Sequence, residues 1–212
     1  MEFSLAARKR LRALFSAVLL LFGASIPPVL EKADRWEVHF QGDPDFNFLI
    51  DSVTTGFSYP SVPNLNPEKY EVPNYVDEIH WEKATTAVER ELTLGRVIRT
   101  SWDHVSGTAA IGIVDKQRSG FVKHRLIHDL SRPKDLSTNS RATVEKRTFA
   151  SVRDAMDVIR PGTFMAKIDV SEFYRNCPMA FHHWPDLGFQ WNVFGEDEPA
   201  VFCDTRMPFR FV

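Results

Sequence analysis

Residues 164–179, with the sequence FMAKIDVSEFYRNCPM, constrain the fold more than any other stretch of the chain. The apolar alternation over 164–169 predicts a strand with one buried face. That strand ends at Asp169, and Ser171 then favours a turn or the start of a helix. A carboxylate at the end of a buried strand is costly unless a cation or several donors compensate it. Tyr174 would lie near this carboxylate if the chain folds back through one turn.

A basic hairpin is predicted upstream of this stretch. Residues 108–114 and 121–127 have strand-like patterns, and residues 115–120 between them form a turn with Lys116 and Arg118. Such a tip can bind a triphosphate, because lysine supplies a point charge and arginine a bidentate fork. A loop tip that is simply solvated would explain the same charges.

The sequence also predicts several helices and further strands. Residues 151–160 form the clearest helix, with Ser151 as a cap and an apolar stripe that predicts packing against a sheet of strands 164–169 and 200–205. The stripe consists of Val152, Ala155, Met156 and Ile159. The other predicted elements are helices at 46–53 and 74–94 and a strand at 184–191.

The charge distribution is uneven along the chain. A net charge of −2 excludes a uniformly basic nucleic-acid-binding protein. Acidic residues dominate between 31 and 82, whereas nine Lys and Arg residues face three acidic ones between 116 and 147. Such a basic block is what a phosphate-rich partner needs, although a solvated basic face is the alternative.

The chain contains two cysteines, Cys177 and Cys203, so no disulfide framework is implied and an intracellular location is expected, in cytoplasm or nucleus. Residues 1–25 are the exception, because basic residues precede an apolar run and imitate a secretory signal. The run is too short to span a bilayer, and no membrane association is expected. Its apolar positions also fit an ordinary docked helix.

Two histidines lie four residues apart in the second predicted strand of the hairpin. His124 and His128 would share a face but stand about 13 Å apart, because a strand rises about 3.3 Å per residue. The sequence therefore does not favour a zinc site built from them with His182, His183 or Cys203.

Three ordered segments resemble motifs of reverse transcriptases. Asp169, four intervening residues and Tyr174 resemble the first catalytic motif of that family. Residues 123–131 (KHRLIHDLS) resemble the fingers segment, in which Arg125 and Asp129 precede the palm. Residues 206–209 (RMPF) resemble the start of the next palm motif. The order and spacing are most similar to retrotransposons that carry a tyrosine recombinase, the DIRS-like elements.

The resemblance implies an α+β fold: a partial right-hand polymerase with fingers and an incomplete palm, built from antiparallel strands and packed helices. The implied divisions are as follows: an N-terminal apolar helix or signal-like segment at 1–35, a lead-in helix and Pro-rich connector at 36–72, a fingers-like region at 73–148 and an incomplete palm at 149–212.

The resemblance also implies an RNA-directed DNA polymerase that uses an RNA template, a DNA primer, deoxynucleoside triphosphates and Mg²⁺ or Mn²⁺. Asp169 would be the catalytic carboxylate and a metal ligand, together with the backbone carbonyl of Val170. Tyr174 would lie under the sugar and obstruct a 2′-hydroxyl, or it would be a packed core aromatic. The remaining nucleotide-binding residues would be Lys116, Arg118, Arg125, Glu172 and Phe173, the last two through their amide N–H groups.

The family's other metal carboxylates lie in a Tyr/Phe-x-Asp-Asp segment, which these 212 residues lack. Arg210 also stands where the related motif has glycine. One carboxylate does not hold two metal ions, so the chain alone is expected to be inactive. The alternative is a non-catalytic nucleic-acid-binding or degenerate retroelement remnant. A third interpretation, a secreted protein, depends on residues 1–25.

Overall fold

The computed structural model describes residues 4–61, 69–118, 120–143, 150–166 and 169–208, without the side chains of Arg118 and Phe121. The helices in these ranges are α1 (Leu5–Leu21), α2 (Pro28–Glu31), α3 (Ala33–His39), α4 (Phe46–Thr55), α5 (Glu78–Thr93), α6 (Thr138–Arg141) and α7 (Val152–Val158). The strands are β1 (Tyr70–Glu71), β2 (Val97–Thr100), β3 (Gly107–Thr108), β4 (Ala110–Arg118), β5 (Phe121–Asp129), β6 (Gly188–Trp191) and β7 (Ala200–Asp204). Short 3₁₀ turns cover Trp102–His104, Phe173–Asn176 and Phe181–Leu187.

The strands form three small sheets. An antiparallel sheet has the order β2-β7-β6, β4 and β5 form an antiparallel hairpin, and β1 pairs with β3 in parallel. The predicted α+β class is therefore confirmed, while the right-hand polymerase arrangement and the domain boundaries stay predictions.

The predicted hairpin is confirmed, but its first strand extends further than expected. Arg118 pairs with Phe121, so β4 continues past the predicted end at residue 114. Lys116 therefore lies within β4, opposite Lys123, and not at a loop tip. The charged residues before the turn did not look like strand residues, but an exposed two-stranded ribbon tolerates polar side chains on both faces.

The predicted strand at 164–169 is wrong over its described residues, which have no strand structure. Phe164, which was expected to be buried, is 100% exposed. The reason lies in β7, which was predicted to pair with residues 164–169. Val97–Thr100 of β2 occupies one edge of β7 and Gly188–Trp191 of β6 occupies the other. Since a strand has two hydrogen-bonding edges, no position beside β7 remains.

Helix α7 begins as predicted but does not pack as predicted. Ser151 caps it, and Asp154 reaches back to the Ser151 backbone N–H in a complete capping box. Its apolar stripe nevertheless faces solvent, with Val152 79% and Met156 66% exposed. The expected packing of this helix on a palm sheet is therefore wrong.

Other predicted helices agree closely with the structure. Helix α4 covers the predicted 46–53 segment, and α5 begins at Glu78, four residues later than predicted, but ends just before Gly95, as the sequence indicates. Gly95 has φ of +61° and lies so close to Ser25 that a Cβ would stand 2.5 Å from its backbone nitrogen. The predicted strand at 184–191 is confirmed only in its second half, because Trp184 and Pro185 belong to a 3₁₀ turn.

The N-terminal helix is part of the main core. Phe15 and Leu19 of α1 are buried in one cluster with Ile98 of β2 and Trp184. The docked-helix interpretation of residues 1–25 agrees with this packing, although Leu14, another apolar residue of the same run, is exposed. None of the helices in the described ranges is both long and apolar enough to cross a bilayer.

A second cluster joins α5 to the sheets. Ala84 and Val88 of α5 pack against Ile111 of β4 and against the aromatic rings Phe189, Trp191 and Phe202. The indole of Trp191 also stacks on Trp81, with ring centroids 4.5 Å apart, and donates its N–H to the hydroxyl of Thr85. This packing fixes α5 against the sheets and so defines the floor of the cleft described next.

Candidate functional site

A cleft of about 1010 Å³ lies between α5, the β4-β5 hairpin and the segment 169–175. Its floor includes apolar side chains of the second core cluster, among them Val88, Ile111 and Phe189. Its walls are rich in charged side chains from α5, from β5 and from the segment 169–175. This is the size range of small-molecule and cofactor sites.

Six residues that the sequence singled out line this one cleft. They are Arg125 of β5 together with Asp169, Val170, Glu172, Phe173 and Tyr174. Lys116 does not line it and lies on β4 near the turn of the hairpin. The side chain of Arg118 lies outside the described residues, as do Phe209 and Arg210.

Asp169 is exposed at the cleft and not buried at the end of a strand. The desolvation cost that the sequence suggested for its carboxylate is therefore absent. The expectation failed for the same reason as the strand, since the edges of β7 are already occupied. Val170 beside it is also exposed.

The two aromatic residues that follow are accessible from the cleft. Phe173 is 55% and Tyr174 46% exposed, and their rings meet edge to face with centroids 5.6 Å apart. Tyr174 is therefore not the packed core aromatic that the sequence left as an alternative. Exposed aromatic faces in a charged cleft can stack on sugars or bases.

Two arginines attach the segment 169–175 to the region around α5. The carboxylate of Glu172 accepts a hydrogen bond of 2.7 Å from Arg96 and one of 2.9 Å from Arg90. The Arg96 bond is the main reason that the pKa of Glu172 is lowered. Glu172 itself has a left-handed backbone, with φ of 51°. These contacts give its side chain an anchoring role, whereas the sequence had assigned its backbone N–H to phosphate binding.

A buried ion-pair network lies below this anchor. Arg175 donates two hydrogen bonds to Oε2 of Glu91, at 2.9 and 2.7 Å, and its Nη2 lies 2.6 Å from Oδ1 of Asp204. The other carboxylate oxygen of Asp204 lies 3.2 Å from Nδ1 of His128. Burial by itself raises the pKa of Asp204, but Arg175 and His128 outweigh burial and hold the pKa below its usual range.

Sequence reasoning missed Asp204 as a member of this site. It is the last residue of β7, and its side chain is only 6% exposed. The sequence did contain a sign of its role. Asp204 is a carboxylate in the otherwise apolar strand AVFCD, and such a group requires a cation or hydrogen-bond donors nearby. His128 was considered only as a zinc ligand, and the structure places it against Asp204 instead.

Arg206, the first residue of the RMPF segment, is buried and donates to the backbone oxygen and the hydroxyl of Ser25. Burial is the main reason that the pKa of its guanidinium is lowered to about 10. Arg206 therefore connects the end of β7 to the segment that follows α1, which is a structural role.

The described residues do not fit a two-metal centre. Glu91, Glu172 and Asp204 each bind an arginine, and any of them would have to release it to coordinate a metal ion. Asp169 and the carbonyl of Val170 would supply two oxygens, whereas Mg²⁺ takes an octahedral set. What the cleft offers is cationic side chains and exposed aromatic rings, which suit binding more than metal-assisted chemistry.

Comparison with known proteins does not assign the chain to a family. No protein-family model matches the chain, and no curated protein matches it. The structure defines the class only as a mixed α+β protein with small antiparallel sheets and a charged cleft.

Proposed function

We propose that the chain is the fingers and first palm portion of a retroelement reverse transcriptase, and that its cleft binds the phosphate-bearing ligands of that enzyme. These ligands are an RNA template with a DNA primer and deoxynucleoside triphosphates. One observation carries the proposal: Arg125 of the fingers-like segment and Asp169 through Tyr174 of the catalytic-motif segment line the same cleft. They lie more than 40 residues apart in the sequence, and the family would require them to meet.

The binding would be electrostatic and aromatic. Lys83, Lys123 and Arg125 line the cleft from α5 and β5, where they can contact phosphates. Phe173 and Tyr174 offer rings to a sugar or base. By the resemblance, Tyr174 would also select against a 2′-hydroxyl.

Polymerisation needs metal ligands that the described residues do not supply. In a complete enzyme, Asp169 would be one ligand of the Mg²⁺ or Mn²⁺, whose positive charge would be supplied at the attacking hydroxyl and the triphosphate. The present chain would bind substrates without turning them over.

A second candidate function has its own support. The exposed position of Asp169 and the solvent-facing stripe of α7 favour a remnant that binds nucleic acid without any catalytic role. The two candidates differ in one property: only the polymerase portion should distinguish deoxynucleotides from ribonucleotides through Tyr174.

The test is binding of a fluorescent RNA–DNA hybrid, measured by anisotropy over a range of salt concentrations. Arg125→Ala should weaken binding and reduce the slope of log K against log salt by nearly one unit, if Arg125 neutralises one phosphate. The matched control is Arg153→Ala, on exposed α7 and outside the cleft lining. It should change neither the affinity nor the salt slope. The proposal is refuted if the affinity does not depend on salt concentration, or if both substitutions change the affinity equally.

A parallel measurement separates the two candidates. Competition by deoxy- and ribonucleoside triphosphates should favour the deoxy form, and Tyr174→Ala should remove that preference while hybrid binding persists. If the unmodified chain binds the hybrid but does not prefer deoxynucleotides, the polymerase candidate is excluded and the non-catalytic remnant remains.

A further inference from the structure

A cluster of imidazole and carboxylate groups lies where α5 meets the hairpin. His80 comes from the first turn of α5, Asp115 from β4 and His124 from β5. One ligand atom from each residue lies within 4.8 Å of the others. We propose that these three side chains form a binding site for a divalent transition-metal ion such as Zn²⁺.

The hairpin register places two of the ligands side by side. Asp115 pairs directly with His124, so their side chains leave the same face of the ribbon. Nδ1 of His124 lies 2.5 Å from Oδ1 of Asp115. The other oxygen of the same carboxylate lies 3.2 Å from Nε2 of His80. The carboxylate is thus held between two imidazole nitrogens. Around a tetrahedral ion with ligand bonds of about 2.0–2.1 Å, neighbouring ligand atoms stand about 3.3 Å apart, so the His80–Asp115 distance already fits and the His124–Asp115 distance must widen by about 0.8 Å.

A second carboxylate orients His80. Oδ1 of Asp77 lies 2.6 Å from Nδ1 of His80 and also accepts the His80 backbone N–H at 2.9 Å as the cap of α5. Nε2 is therefore the nitrogen that points towards Asp115. Histidine ligands of metals generally donate their other ring N–H to a carboxylate, a backbone carbonyl or a water molecule. This hydrogen bond fixes the ring and raises its basicity.

The donor set determines the class of ion. Two imidazole nitrogens and one carboxylate oxygen suit Zn²⁺ and its neighbours in the transition series, whereas Mg²⁺ and Ca²⁺ prefer oxygen ligands. The side chains of His80 and His124 are each about a quarter exposed, so that an ion can reach the cluster and water can complete its coordination. A bound ion would join the start of α5 to both strands of the hairpin.

This site is independent of the proposed function. None of its three ligands was assigned a catalytic or nucleotide-binding role, although His124 lies in the fingers-like segment 123–131, and its ion class differs from the Mg²⁺ or Mn²⁺ of nucleotidyl transfer. His124 also lines the cleft, so the site lies at the edge of that cleft.

The experiment is titration of the full chain, without an affinity tag, with Co²⁺, followed by the visible absorption of tetrahedral cobalt. One equivalent should saturate the signal, Zn²⁺ should abolish it, and Mg²⁺ in excess should not. His124→Ala and Asp115→Asn should each eliminate the saturable phase. His104→Ala, which alters an exposed histidine on the Trp102–His104 turn, is the matched control and should bind as the unmodified chain does.

A further variant separates the orienting carboxylate from helix capping. Asp77→Asn retains a good cap residue but removes the charge that holds His80, and it should weaken cobalt binding about 10- to 100-fold. Circular dichroism should confirm that each variant keeps its secondary structure. The proposal is wrong if the unmodified chain shows no saturable cobalt signal, or if His124→Ala and His104→Ala bind equally well.

Discussion

Replacement of Arg175 by methionine should destabilise the protein more than its position in a short 3₁₀ turn suggests. Arg175 contacts Glu91 and Asp204 at 2.6–2.9 Å, and the side chain of Asp204 is almost fully buried. Methionine keeps much of the volume and removes the charge. The variant therefore tests the ion pairs and not the packing.

The magnitude follows from what remains after the change. Loss of one partner from a buried ion pair costs about 3–5 kcal/mol, because the other charge stays buried. Asp204 retains His128 at 3.2 Å and Glu91 retains Arg96 at 3.6 Å, so the lower end of that range, about 3 kcal/mol, is expected at pH 7. A typical domain has a free energy of unfolding of about 5–15 kcal/mol, so this is a large share.

The cost should depend on pH in a definite direction. Arg175 is the largest influence that lowers the pKa of Asp204, so without it burial is opposed by His128 and the pKa rises. The variant can then protonate Asp204 in the folded state as the pH falls, which relieves the unpaired charge. The difference in unfolding free energy between the variant and the original chain should therefore shrink between pH 7 and pH 5.

The assay is urea unfolding followed by tryptophan fluorescence, since Trp184 and Trp191 are buried reporters. The double variant Arg175→Met with Asp204→Asn should recover stability relative to the single variant, because the most deeply buried carboxylate of the network is then neutral. Arg153→Met on exposed α7 should stay within about 0.5 kcal/mol of the original. A cost below about 1 kcal/mol, or one that does not change with pH, would show that the network does not act through buried charge.

Two further predictions concern the cores. Burial lowers the pKa of His183 to about 4, below the usual histidine value of about 6.5, so the stability contributed by its neutral ring is complete above that value and decreases as the pH falls towards 4. Between pH 7 and 5 the loss should be about 2 kcal/mol, and urea unfolding of His183→Gln should lack this component; identical pH profiles for both chains would contradict it. Trp191→Phe removes the hydrogen bond to Thr85 and leaves a cavity beside α5, which should cost about 2–3 kcal/mol in thermal or urea unfolding, whereas a change below about 0.5 kcal/mol would contradict the packing described.

Local signals in the sequence predicted local structure well. The Ser151 and Asp154 capping box and the glycine after α5 each specify a helix boundary through a few neighbouring residues, and both boundaries are confirmed. The hairpin is also local, since β4 and β5 are consecutive in the chain. The exposure of α7 was not predictable in this way, because the apolar stripe of a helix does not show whether the fold provides a surface for it to pack against.

Long-range pairing explains the remaining errors. The sequence could not show that β2 pairs with β7, and this pairing removes the position assigned to a strand at 164–169. The segment 169–174 nevertheless lines the same cleft as Arg125. The buried network of Arg175, Glu91 and Asp204 and the cluster around His80 combine residues from separate elements, so that only the folded arrangement brings them together.

The central position of β7 has a consequence for synthesis of the chain on the ribosome. Helix α1, helix α5 and the hairpin can form as soon as they emerge, because their contacts are close in sequence. The three-stranded sheet cannot, because β2 must wait for a partner that is made half a chain length later. Until then, β2 lacks its hydrogen-bonding partner, and Val97 and Ile98 lack Phe202 and Cys203 of β7 in their core clusters. A nascent chain arrested before residue 200 should therefore bind chaperones that recognise exposed apolar segments, and release past Asp204 should end that binding.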